Sequence, residues 1–211
     1  SNSAEAFDSA LSDAEQEGIA QLEGILSSSE IDKSLRSISE YGLDEYTFIS
    51  ADFFLGDEDE NGQASVSCRA RYSRDENGKV FSRTFTVNAR TGEVIRIDSN
   101  IPREKDYTAA LSQGGAYLQA TAFLEKYYSS HYAQMSLYDP GEDSSSAPEF
   151  TFIFAQKANG YFFPDNYYVV SVDSSDGSIS GFSFVFDETV TFQNAENIIT
   201  PQQAVDAWMN T

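Results

Sequence analysis

A single cysteine among 211 residues rules out an internal disulfide and a thiolate zinc site. A single histidine, His131, cannot build a histidine zinc site either, and nothing in the chain calls for a cofactor. No apolar run approaches the ~18 residues of a membrane-spanning helix. The opening SNS has no hydrophobic signal core, so the expectation is a chain whose targeting segment was removed or never existed. Cations are scarce as well. Thirteen Lys and Arg stand against thirty-four Asp and Glu, a formal charge of −21, which disfavours nucleic acid and anionic lipid as partners. Basic peptides and divalent ions would be attracted, and solubility in a salty exterior accounts for the same charge.

What is present is a globular composition with 40% hydrophobic residues, enough for one large or two small cores. Residues 56–62, GDEDENG, carry the opening spacing of a calcium-binding EF-hand loop. Its twelfth position, counted from Asp57, is Cys68 in place of the bidentate carboxylate the ion requires. Residues 65–72 alternate like a strand, so Asn61-Gly62 is expected at a solvated hairpin tip. On that strand Cys68 shares the apolar phase of Val66, Ala70 and Tyr72, which predicts a buried, inert thiol.

Ser12 and Glu15 form a capping box ahead of Ile19, Leu22 and Leu26, predicting a helix to about residue 26. A short second helix carries Ile31, Leu35 and Ile38, with Gly42 placed to end it. Strands are expected at 46–55, 63–73, 79–88 and 93–98, joined by tight turns into an antiparallel meander. A connector at 101–113 is the expected boundary. The order then recurs: a long helix over 111–132, a surface loop at 139–148, and strands at 150–156, 166–173 and 178–186. Local wording recurs too. RDENGKVFSRTFTVNARTGEVIRI resembles KANGYFFPDNYYVVSVDSSDGSISGF once three residues are inserted before Tyr167, which indicates an internal duplication. Thr200, Pro201 and Gln203 open a third amphipathic helix on Val205 and Trp208.

Asn159-Gly160 with the strands that follow it, NG…FTVNARTGEVIRI in the first half, and ITPQQAVDAW at 199–208 together resemble PepSY-type repeats of the tandem YcdB/YcdC kind found in Gram-positive surface proteins. The resemblance implies an extracytoplasmic, non-catalytic module, a helix laid over an antiparallel sheet, with inhibitory or binding roles beside protease domains. It supplies no catalytic motif. The expected fold class is therefore α+β, with PepSY-like units at 1–102 and 103–195 and a helix at 196–211 that either packs on the second unit or opens a truncated third repeat.

Chemistry is thin. No Gly-x-Ser-x-Gly elbow accompanies His131, which fits a helix-terminal cation. The acids cluster in turns, where water solvates them; Asp52, on a strand, is the least turn-like. Two binding candidates remain. Arg69, Arg71, Arg74, Lys79, Arg83, Arg90 and Arg96 concentrate the cations in one stretch, and Arg69, Arg71 and Arg83 are expected to form a cationic outer sheet face. Such a face pairs with the chain's own acids or docks an acidic peptide or wall polymer. YFFPDNYY, residues 161–168, gathers rings of which Tyr161, Phe163 and Tyr167 are binding candidates, while Phe162 and Tyr168 enter the core. The expected function is a secreted or surface-attached binding or regulatory module for a protein or cell-wall component, docking or restraining a partner such as a peptidase. The alternatives are a carboxylate-dependent surface hydrolase, which needs a cleft with paired acids, and a carbohydrate-binding module, which needs coplanar exposed rings.

Overall fold

A computed structural model describes residues 22–58, 64–102, 109–141, 147–193 and 201–209. The chain divides into two compact units, Ser1–Lys105 and Asp106–Thr211. Its class is α+β, with eight strands in antiparallel ladders and few helices among the described residues.

In the first unit, residues 22–27 are turn and irregular chain, so the helix expected to run to residue 26 does not reach it; the rest of that expected helix falls in residues 1–21, outside the described residues. Helix α1 (Ser28–Arg36) starts at a capping box that the sequence spells as Ser27-Ser-Ser-Glu30. Ser27 Oγ accepts from the Glu30 amide at 3.3 Å, and Glu30 Oε2 accepts from the Ser27 amide at 2.8 Å. These bonds satisfy two backbone donors that a helix start otherwise leaves open. Ile31 and Leu35 are buried on one stripe. The 3₁₀ turn Ser39–Tyr41 ends at Gly42 in the left-handed region, as the sequence predicts for Gly42. Arg36 then bonds the carbonyls of Leu43 and Tyr46 at 2.8 and 2.9 Å, fixing the entry into the sheet.

Strands β1 (Thr47–Glu58), β2 (Ala64–Glu76), β3 (Lys79–Asn88) and β4 (Val94–Asn100) follow as a meander in the order β1-β2-β3-β4. Strict alternation along β2 and β3 buries Val66, Cys68, Ala70 and Tyr72 with Phe81, Phe85 and Val87. Each fully buried aliphatic or aromatic side chain contributes roughly 1.5–3 kcal/mol. α1 packs on β1 and β2, and Phe85 lies against both Tyr41 and Tyr72, 5.0 and 5.7 Å between ring centroids. Cys68 is fully buried, and burial, then the charge of Asp52, pushes its thiol up, away from the reactive thiolate. The twelfth position of the would-be calcium loop is therefore mid-strand. The hairpin tip at Asn61-Gly62 lies outside the described residues.

In the second unit, Ser112 caps α2 (Gln113–Tyr127) through the Gly115 amide at 3.1 Å. Ala116, Ala120, Phe123 and Leu124 form its buried face, whereas Leu118, expected in the stripe, points to solvent. The expected single helix over 111–132 breaks at Tyr128, whose φ and ψ of −132° and 34° leave the helical region, and α3 (Ser129–Tyr132) follows. A short strand that the sequence reading did not anticipate, β5 (Met135–Asp139), precedes β6 (Glu149–Ala158), β7 (Tyr161–Asp173) and β8 (Ile179–Val185). Their order is β8-β7-β6-β5, and α2 packs on β6 and β7.

Asn77-Gly78 and Asn159-Gly160 both sit at positive φ, 54° and 77°, then 53° and 87°. This is the conformation of the two-residue turn that matches strand twist, and it recurs at equivalent places in the two units. The three-residue insertion also has a physical counterpart. Phe163 pairs with Gln156 and Tyr167 with Ala155, so Pro164, Asp165 and Asn166 bulge out of β7. Proline has no amide to give the ladder, and the extra residues turn Asn166 inward, where it is buried. Helix α4 (Pro201–Met209) forms as expected, with Val205 and Trp208 exposed. Among the described residues no helix is long and apolar enough to cross a membrane.

Candidate functional site

Arg69 and Arg71 stand on the outer phase of β2, as expected. Arg83 does not. It is 2% exposed, on the β3 phase of Phe81, Phe85 and Val87, directly across from Tyr72. There its guanidinium donates to the Tyr41 carbonyl and lies over the Tyr46 ring at 5.2 Å. The parity was legible, because Arg83 is two residues from Phe81 and from Phe85. Nor is the outer face a free cationic surface. On it Arg71 pairs with Asp52 at 3.0 Å and Arg96 grips Asp98 through two bonds of 2.7 Å, while Arg74, on the inner phase opposite Phe81, pairs with Glu45 at 2.9 Å. Arg69 lies over Phe54 at 5.0 Å.

The rings at 161–168 do not make a flat platform. Tyr161 is 68% exposed. Phe162, expected in the core, is partly exposed and meets Tyr138 edge-on at 72°; Phe163 meets Phe192 at 76°. Tyr167 is half-buried. Tyr168 enters the core, stacked on Phe184 at 4.9 Å and 7°.

Two features stand out instead. The first is β1, which among the described residues pairs on one side only. A bulge interrupts its ladder at Ile49, after which Ser50 to Leu55 run in unbroken register opposite Arg71 to Val66. Ile49, Phe53, Phe54 and Leu55 along this strand are 57, 41, 44 and 63% exposed.

The second is a cavity of about 360 Å³ in the second unit, lined by Ser130, His131, Gln134, Gln156, Phe186, Asp187, Glu188 and Val190. His131 stacks on Phe186 at 3.9 Å and 6°. Its Nε2 lies 3.1 Å from Glu188 Oε1 and its Nδ1 2.5 Å from the Tyr168 hydroxyl. A carboxylate only accepts, so Nε2–H donates to Glu188, while Nδ1 shares a hydrogen bond with the Tyr168 hydroxyl. Both imidazole nitrogens are thereby engaged, and neither is offered to Ser130 as a base.

The lining amides Gln134 and Gln156 belong to an amide chain whose last member is Asn166 of the β7 bulge. Asn166 Nδ2 donates to Gln156 Oε1 at 2.7 Å, and Gln156 Nε2 donates to Gln134 Oε1 at 2.9 Å. Asn166 Oδ1 accepts from the Asp187 amide at 2.8 Å, tying the far wall to these amides. Asp187 accepts from the Thr189 hydroxyl and amide, which hold its carboxyl below the usual carboxylate range. It is an anion at neutral pH and a poor proton donor. Sequence reasoning missed this amide chain, although Gln156 carried a signal: it continues the apolar phase of Phe150, Phe152 and Phe154. Among the described residues no group of three or more His, Cys, Asp or Glu is placed to hold a metal ion.

The fold is similar to the Bacillus megaterium YpeB C-terminal domain, with a TM-score of 0.58 and 13% identity, over 86% of this chain and 74% of that one. That domain is PepSY-like, and at this identity the likeness is one of fold. Residues 44–185 match the YcdB, YcdC repeated domain, and the chain belongs to that family. No curated protein matches it.

Proposed function

We propose that the chain is an extracytoplasmic, non-catalytic PepSY-type module that docks or restrains a partner protein, such as a peptidase, through the exposed edge of β1. The observation that carries this reading is the run from Ser50 to Leu55, which among the described residues pairs on one side only, with Phe53, Phe54 and Leu55 exposed along it. Natural proteins cover, shorten or charge such edges because they template strand addition. An edge left open and apolar matches recognition by β-augmentation, where backbone bonds give affinity and alternate side chains give specificity.

PepSY-like domains are generally non-catalytic, and Asp187, ionised and solvated, is not the raised-pKa acid that a hydrolase requires. Edge-on rings at Phe162 and Phe163 weaken the carbohydrate reading. Each unit runs from a helix into four antiparallel strands with an Asn-Gly turn at matching places. This supports tandem repeats at 1–102 and 103–195, with α4 opening a third.

The test is panning of phage-displayed random peptides on the immobilised chain. Enriched peptides should protect β1 amides from hydrogen exchange and bind Phe53→Asp at least ~10-fold more weakly, a loss of about 1.4 kcal/mol. Leu55 is 63% exposed and Phe53, opposite buried Cys68, is 41% exposed, so both variants are first checked for cooperative unfolding. Peptides that bind Phe53→Asp and Leu55→Asp as well as the wild type, with β1 unprotected, would remove the β1 site.

A further inference from the structure

The geometry points to a second recognition element, and we propose that the His131 cavity is a socket for a basic side chain, arginine or lysine, of a protein or peptide partner. The inference rests on the binding-module reading for its partner, but on separate residues for its chemistry.

Size comes first. At about 360 Å³ the cavity is at the small end of ligand sites and has room for about a dozen waters at ~30 Å³ each. That accommodates one long side chain rather than a folded ligand. Charge then selects the occupant. The rim carries the carboxylates of Asp187 and Glu188, and no Lys or Arg lines the cavity. Its only basic group, His131, already donates Nε2–H to Glu188. An anion would face two carboxylates; a cation is drawn both by them and by the field of a chain carrying −21.

Shape refines the choice. Phe186 and Val190 form an apolar wall against which a three- or four-carbon stem lies while its charged head stays at the acidic rim. A bare metal ion is a poorer fit, because His131, Asp187 and Glu188 are not arranged to ligate one. The lining is preorganised: Gln156 and Asn166, both buried, lock each other's amides and the Asp187 backbone. The socket therefore exists before the ligand arrives, which lowers the ordering cost of binding.

The experiment titrates four capped tripeptides, Gly-X-Gly with X as arginine, lysine, citrulline or norleucine, into isotope-labelled protein while the side-chain NMR signals of His131, Gln134 and Gln156 are followed. The arginine or lysine peptide should shift these signals saturably with a roughly millimolar Kd, and citrulline, which keeps the shape but not the charge, should bind about tenfold more weakly. Glu188→Gln, a change at an exposed side chain, should weaken the basic peptide about threefold, as expected for one exposed charge. Citrulline or norleucine binding as tightly as arginine, no saturable shift at these signals, or an unchanged affinity in Glu188→Gln would each overturn the proposal. The tripeptides are too short to pair along β1, so this titration reads the cavity alone. A failure here leaves the β1 reading standing, and the loss of peptides panned on β1 leaves the cavity standing.

Discussion

Arg83 shows how one position can look like a binding residue in a list of cations and act as a structural one in the fold. Its stem fills space between Tyr46 and the β3 core, and its guanidinium holds the Tyr41 carbonyl just before Gly42 turns the chain toward β1. Removing it leaves a void and takes a donor from the Tyr41 carbonyl, together costing about 2–4 kcal/mol for Arg83→Ala. Arg83→Met keeps the stem but loses the bond to Tyr41 and the cation–π contact with Tyr46, so about 1–2 kcal/mol is expected. Burying a charge has its own desolvation cost, which makes the methionine variant the informative one. Denaturant unfolding should rank wild type above Met above Ala. A methionine variant more stable than the wild type would mean that desolvation outweighs the bond to Tyr41.

At the scale of elements, the parts legible in the sequence are those set by short-range chemistry. Strand parity, the Asn-Gly turns, the Gly42 stop and the third helix follow from residues a few positions apart. The break at Tyr128, strand β5 and the cavity follow from tertiary contacts: Tyr128 leaves the helix to pack on Phe182 and Tyr168, and β5 is defined by its pairing with β6. The insertion Pro164-Asp165-Asn166 lies between these cases. Alignment of the two halves exposed it, yet only the fold shows that Asn166 ends an amide chain reaching the cavity lining. Because Phe163 and Tyr167 face consecutive residues of β6, deleting the three inserted residues preserves ladder register and the facing of every side chain. The shortened protein should fold cooperatively, less stable by about 1–3 kcal/mol for the lost bonds to Gln156 and Asp187, and should no longer bind the basic tripeptides. Retained binding would show that the cavity does not depend on the bulge.

For the whole molecule the controlling quantity is charge, and two opposing effects must be weighed. Ion pairs among the described residues, Arg36–Asp32, Arg71–Asp52, Arg74–Glu45, Arg74–Glu76 and Arg96–Asp98 among them, attract, and salt weakens them. All have at least one partly exposed partner, so each is worth at most about 1 kcal/mol. Against them stands the mutual repulsion of thirty-four acids balanced by thirteen bases, which acts over distances comparable to the Debye length, about 30 Å at 0.01 M salt and 10 Å at 0.1 M. Screening removes more repulsion than attraction when the excess is this large. Raising sodium chloride from about 10 mM to about 500 mM should therefore raise the midpoint of the first unfolding transition, by roughly 3–6 °C, the size of a 1–2 kcal/mol change in a chain of this length. A fall in that midpoint would mean that the ion pairs dominate. The same salt step should weaken the basic tripeptides at Asp187 and Glu188, because there screening acts on attraction alone. Stability and binding are thus expected to move in opposite directions with salt, which a general stiffening or loosening of the fold would not produce.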